Sequence, residues 1–184
     1  ELNLKNNLNK KILEAYNFKD SIKLNKASFS FEEKKILENI NLEIIKNKIT
    51  VISGANGAGK STLIHILLGL LPLKSGDYLI DNKKIDISNY NLSHLIGYVP
   101  QEINLIDDNI ENNIAFGKNE SEVNYESMDE ITKILKFDEL LTKRLNDKNY
   151  MVGENGNKLS GGQRQKIILA RALYGNPAIV VMDE

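Results

Sequence analysis

The sequence contains no cysteine. That absence removes disulfides, thiolate metal sites and cysteine nucleophiles together, and it fits a reducing compartment. An excess of one charge is missing too. Lys and Arg number 24 against 25 Asp and Glu, a formal net charge of −1, so no bulk basicity argues for non-specific nucleic-acid binding. Long hydrophobic runs are also absent. The most apolar stretch, ILLGLLPL from Ile66 to Leu73, falls far short of the roughly 20 residues that span a bilayer, and no signal-peptide pattern opens the chain. These residues are therefore expected to be soluble by themselves.

What is present looks globular. The chain has 184 residues, 41% of them hydrophobic and 27% charged, enough for a single domain that buries roughly two thirds of its unfolded surface without staples. It begins at Glu1 and stops at Glu184 directly after an apolar run, so both ends read as cut from a longer polypeptide. Residues 1–20, rich in Asn and Lys with a loose apolar stripe at Leu2, Leu8, Ile12 and Tyr16, read as a linker or marginal helix. Asparagine is scattered throughout in the manner of a coding bias, and it is given no weight as a turn signal.

From Ser21 the apolar period becomes two. Ala27, Phe29 and Phe31, then Ile40, Leu42 and Ile44, alternate with polar residues as half-buried strands do. Ile49–Ser53 is a short β-branched run ending at a glycine, and KSTLIHILLGLL after it is too long and leucine-rich for a strand, which predicts strand, loop, helix. Asp81-Asn82 sits between two short runs as a hairpin, and Leu95–Pro100 reads as another strand. Residues 101–160 form an expected helical subdomain, with an apolar stripe of mixed three-and-four spacing at Met128, Ile131, Ile134, Leu135 and Phe137 to Leu141. A helix over Gly161–Tyr174, stopped by Gly175-Asn176-Pro177, leads into the apolar strand Ala178–Met182. Alternating strands and helices imply an α/β domain with a mainly parallel sheet.

The first chemical signal is GANGAGKST. Gly54, Ala55, Asn56, Gly57, Ala58, Gly59, Lys60, Ser61 and Thr62 match the G-x-x-x-x-G-K-[ST] spacing of a P-loop, between a predicted strand and a predicted helix. Glycines let the backbone curl with its N–H groups inward, the helix start adds partial positive charge, Lys60 reaches terminal phosphates and the Ser61 hydroxyl suits Mg²⁺. Such a site needs a carboxylate at a neighbouring strand end. AIVVMDE supplies Asp183, to hold Mg²⁺ through water, and Glu184, to polarise the attacking water as general base.

LSGGQ, Leu159 to Gln163, forms a second anion receptor. Ser160 stands at the cap of the predicted helix, and Gly161 and Gly162 follow, although each costs about 1 kcal/mol against alanine in a helix. A second receptor is redundant in one chain unless it serves a nucleotide bound to another copy.

Together, Gly54–Ser61, Gln101 after a strand, LSGGQ and VVMDE resemble, in order and spacing, the nucleotide-binding domain of ATP-binding cassette (ABC) proteins, over about Ser21 to Glu184. The resemblance implies a P-loop NTPase of RecA-like core with an N-terminal antiparallel β-subdomain and an inserted helical subdomain. It implies MgATP bound at a head-to-tail dimer interface, where Ser160, Gly161, Gly162 and Gln163 close over the γ-phosphate held by the partner's P-loop. Phe31 falls where the family stacks an aromatic ring on adenine. Gln101 falls at the glutamine that contacts Mg²⁺ and the attacking water and links the ATP site to the membrane partner. INLIDDNIENNIAFG (Ile103–Gly117) and MVGENG (Met151–Gly156) are similar to exporter-type segments, with Glu154 at the acidic coupling position, and a fainter likeness points to lipid-linked oligosaccharide flippases.

The implied assignment is an ATPase powering export or flipping from the cytoplasmic face of a membrane. Its partners are a transmembrane domain preceding residue 1 and a second nucleotide-binding domain, with no nucleic acid. The family's later histidine has no counterpart here, because His65 and His94 lie in the P-loop helix and before the Leu95–Pro100 strand, and the fragment alone is expected to be a poor ATPase. Two soluble alternatives stay open: a nucleic-acid-associated ATPase interrupted by coiled coils, and a ribosome-associated one with paired cassettes. No sustained heptads favour the first, and MVGENG argues against the second.

Overall fold

A computed structural model describes residues 11–12, 18–87 and 90–183. The chain divides into two compact units, residues 1–96 and 97–184.

In the first unit, β2 (Ser21–Phe31), β3 (Lys34–Ile45), β4 (Ser75–Ile80) and β5 (Lys83–Ile85) make an antiparallel sheet in the order β3-β2-β4-β5, and β1 (Lys11–Ile12) pairs in parallel with β6 (Tyr90–Asn91). The antiparallel sheet is the expected N-terminal one. In β2 the buried set changes phase, from Ile22 and Leu24 to Ala27 and Phe29. The register slips between Leu24 and Ala27, where Lys26 has φ 47°, so an extra residue moves the apolar series to the other parity while keeping it on one face. Gly76 of β4 (φ 92°) makes room for that bulge, since a Cβ there would lie 2.4 Å from the Lys26 carbonyl oxygen.

Asp81 and Asn82 (φ 50° and 62°) form the expected two-residue turn between β4 and β5, the double positive φ that matches strand twist. Phe18 is buried and Lys46 Nζ donates to its carbonyl, so the last residues of the 1–20 stretch pack on this unit. Residues 1–10 and 13–17 lie outside the described residues. Helix α1 (Lys60–Leu67) buries Leu63, Ile64, Ile66 and Leu67.

The strand expected at Ile49–Ser53 does not form. Residues 48–55 carry no strand, and Ile49 and Val51 are 93% and 81% exposed. A β-branched run becomes a strand only when a neighbour takes its N–H and C=O groups, and among the described residues none pairs with it.

In the second unit β7 (Ile96–Val99) neighbours β8 (Ile179–Met182). Its helices are α2 (Ile110–Ile114), α3 (Tyr125–Ile134) and α4 (Glu139–Leu145), followed by α5 (Gly161–Tyr174). The core gathers Leu105, Ile110, Ile114, Met128, Ile131, Leu141, Val152, Ile167 and Ile168 around α5. Gly97 allows close packing of β7 on that helix, because a Cβ would fall 2.1 Å from the Ala172 carbonyl oxygen. Ile134 departs from the expected stripe. It is 71% exposed, since the face set by Met128 and Ile131 continues to Leu135 and leaves Ile134 beside it.

Asparagine is a structural signal here, contrary to expectation. Asn109 and Asn124 cap α2 and α3 through their side chains, accepting from the N–H groups of Asn112 and Ser127. Asn39, Asn47, Asn82, Asn155 and Asn176 hold positive φ, which asparagine tolerates better than most residues. Among the described residues no helix is long and apolar enough to cross a membrane.

Candidate functional site

The P-loop lies in the first unit and leads into α1. Gly57 and Gly59 take φ 79° and 91°, the left-handed region in which glycine is unstrained. At Gly59 a Cβ would also press on Leu37 and Ile36 at 3.0 and 3.1 Å, whereas at Gly57 it would meet nothing within 4 Å. Gly59 is therefore required by the fold, and Gly57 borders open space. Lys60 Nζ folds back to donate to the carbonyls of Gly54 (2.9 Å) and Ala55 (3.2 Å), which holds the ammonium over the loop. Ser61 is exposed at the start of α1 and Thr62 half-buried. Positive charge, an exposed hydroxyl, a helix start and an open curl fit a Mg²⁺-bound polyphosphate.

Phe31 closes β2 opposite Lys34. It is 53% exposed and meets the Phe29 ring edge-on at 4.9 Å. A ring so held can take a flat partner.

The remaining candidates belong to the second unit. Asp183 leaves β8 level with the end of β7, its N–H donating to the Val99 carbonyl at 3.0 Å, two residues before the exposed Gln101. Both therefore sit where neighbouring strands end. The Tyr98 hydroxyl donates to Asp183 Oδ2 at 3.5 Å, and burial together with the adjacent carboxylate raises the phenol above its ordinary pKa. Glu184 lies outside the described residues.

Ser160 and Gln163 cap α5 reciprocally. The Gln163 N–H donates to Ser160 Oγ at 3.2 Å and the Ser160 N–H to Gln163 Oε1 at 3.1 Å, the paired arrangement of a capping box. Gly161 and Gly162 have no positive φ, and a Cβ on either would meet nothing within 4 Å. Neither backbone conformation nor packing within this chain demands glycine there. Glu154 opens a single 3₁₀ turn (Glu154–Gly156) and is exposed. That turn packs on the segment after Gln101: Val152 N–H donates to the Asp108 carbonyl at 3.0 Å, and a Cβ on Gly156 would strike Leu105 at 2.7 Å.

The profile of the ABC transporter family matches residues 37–184. The chain belongs to the ABC transporter family. Its ABC domain is 40% identical over 168 residues to a putative export ATP-binding/permease protein of Rickettsia prowazekii (strain Madrid E), covering 89% of this chain and 29% of that protein. It is 37% identical over 171 residues to an ATP-dependent lipid A-core flippase of Desulfotalea psychrophila (strain LSv54 / DSM 12343), covering 91% and 29%. A bacterial Atm1-family ABC exporter with ATP bound shares its fold with TM-score 0.77 and 30% identity, over 90% of this chain and 29% of that one. The ABC chain thus spans about 29% of the length of the relatives it matches. Family membership carries the P-loop NTPase fold and ATP binding with it.

Two residues escaped the sequence reading. Arg171 and Asn113 join α5 to the segment after Gln101. Asn113 was one of many asparagines, and Arg171 sat on a helix with no charged partner at i±4; a half-buried arginine bonded to an asparagine 58 residues away leaves no local signal.

Proposed function

We propose that this chain is the ATP-hydrolysing engine of an exporter or flippase. It works at the cytoplasmic face of a membrane, attached to a transmembrane domain and paired head to tail with a second nucleotide-binding domain. The observation that carries the reading is the bare start of α5. Glycines that fold and packing do not require, on a capped helix N-terminus, suit a phosphate that another copy brings.

In this reading the loop from Gly54 to Thr62 wraps one ATP, with Lys60 on its terminal phosphates and Phe31 against the adenine. Ser61, Gln101 and Asp183 would hold Mg²⁺, which neutralises phosphate charge when bound. Glu184 takes a proton from the attacking water, which Gln101 orients. Ser160 to Gln163 close over the γ-phosphate of the partner's nucleotide, and hydrolysis removes the reason for closure. Glu154, beside the segment after Gln101, passes the change to the transmembrane domain. The relatives are named as export and flippase proteins, which favours moving a substrate across a membrane over the two soluble alternatives; a lipid-linked substrate is the corresponding flippase expectation.

The test is ATP-dependent dimerisation of the complete nucleotide-binding domain. Ser160→Phe should leave ATP bound to the monomer and abolish the ATP-dependent dimer. A dimer that forms normally contradicts the reading.

A further inference from the structure

Arg171 lies near the far end of α5 from Gly161, about 15 Å along the helix axis. Its guanidinium serves three acceptors on one stretch of chain. Nε donates to the Asn113 carbonyl at 2.6 Å, Nη2 to Asn113 Oδ1 at 3.0 Å and Nη1 to the Asn104 carbonyl at 3.1 Å. The same guanidinium lies over the Phe116 ring, 5.0 Å from its centroid.

Asn113 is fully buried and extends the grip. Its Nδ2 donates to the carbonyls of Ile106 (3.0 Å) and Asn109 (2.9 Å), and its Oδ1 also accepts from the Ile106 N–H at 3.0 Å. One side chain of α5 therefore holds both ends of residues 104–116, the stretch that begins three residues after Gln101. The acceptors are carbonyl and amide oxygens rather than carboxylates, so the contact fixes the path of the backbone. A planar fork of fixed donors can satisfy three such acceptors at once; a lysine ammonium on a flexible stem cannot reproduce that geometry.

We propose that Arg171 is a positioning residue that makes α5 and residues 104–116 one rigid body. Phosphate contact at Ser160–Gln163 then moves the chain leaving Gln101 together with the helix. The inference rests on the reading that Ser160–Gln163 meet a nucleotide, and it adds the route by which that contact reaches the loop after Gln101. Gripped at the exposed Asn104 carbonyl and at the buried Asn113, residues 104–116 move with α5.

The experiment uses the complete protein, with ATP and Mg²⁺ as the probe, and reads hydrogen exchange segment by segment alongside steady-state hydrolysis. In the parent protein ATP should protect both residues 160–163 and residues 104–116. In Arg171→Lys, ATP should still protect 160–163 but no longer 104–116, with kcat at least tenfold lower and KM for ATP within threefold of the parent. A purely structural role would not separate the two segments. ATP-induced protection of both segments in Arg171→Lys, or an unchanged kcat, overturns the proposal. Protection of neither segment in the parent sinks the reading beneath it, and the proposal with it. Should Arg171→Lys fail to fold, Phe116→Leu removes only the ring under the guanidinium. It is expected to weaken the protection of 104–116 and lower kcat twofold to threefold at unchanged KM; parent behaviour in that variant overturns the proposal equally.

Discussion

Ser160 and Gln163 satisfy one another across the first turn of α5, the Gln163 N–H on Ser160 Oγ and the Ser160 N–H on Gln163 Oε1. The helix start is thus held by its cap, and the two glycines between them contribute nothing to holding it. Each should therefore be replaceable at no cost to the fold. Gly161→Ala is expected to raise stability, by up to about 1 kcal/mol from reduced unfolded-chain entropy, because no atom obstructs the new Cβ. ATP turnover of the complete protein should nevertheless fall at least tenfold. Urea denaturation beside an ATPase assay checks both; an alanine variant with full turnover shows that the bare terminus meets no ligand.

The contrasting glycine is Gly59. Its φ of 91° and the 3.0 Å approach to Leu37 make Gly59→Ala costly by about 1–3 kcal/mol. The same denaturation measurement should show a loss, where Gly161→Ala shows a gain.

On the proposed function, Lys60 and Glu184 should separate binding from chemistry. Lys60→Ala is expected to lose ATP binding. Glu184→Gln should keep it and lose turnover by about 10² to 10⁴, the usual worth of a positioned general base. Equilibrium binding of a fluorescent ATP analogue together with phosphate release distinguishes them, and normal hydrolysis by Glu184→Gln would remove that residue from the role.

Asp81 predicts a pH dependence of stability. Partial burial alone would raise its carboxyl, but the N–H groups of Asp20, Lys19 and Ser21 outweigh that and hold it below the ordinary value. A carboxyl depressed in the folded state stabilises fully above its unfolded pKa, near 3.9, and that contribution disappears as pH falls through the folded value. Asp81→Asn should therefore cost about 1 kcal/mol near neutrality, a modest figure for so exposed a group. The difference from the parent should shrink as the pH falls below the ordinary carboxyl range and through the depressed folded value, as urea midpoints at neutral and at acid pH would show.

These expectations show what was local in the sequence. The P-loop, the LSGGQ cap and the Gly161–Tyr174 helix are written in contiguous residues, and helix and cap appear at the positions read from them. The Asp81-Asn82 turn was equally local. Ile49–Ser53 was misread for the opposite reason: a strand is a relation between segments, and a β-branched run carries no information about whether a neighbour is present. The asparagine caps were overlooked because a composition argument replaced a positional one. Arg171 could not be read at all, since its acceptors at Asn104 and Asn113 lie 67 and 58 residues away.

Mixing two variants decides whether Ser160–Gln163 act on the partner's nucleotide. One copy of the complete protein carries Lys60→Ala and the other Ser160→Phe, and tightly held ATP is counted per mixed dimer. If the site is shared between copies, both lesions fall in one site and the other stays intact, so one ATP is retained; placing both changes on one copy beside a parent copy leaves none. The opposite pattern, no ATP with separated lesions and one with combined lesions, would show that each chain uses its own LSGGQ and would contradict the account.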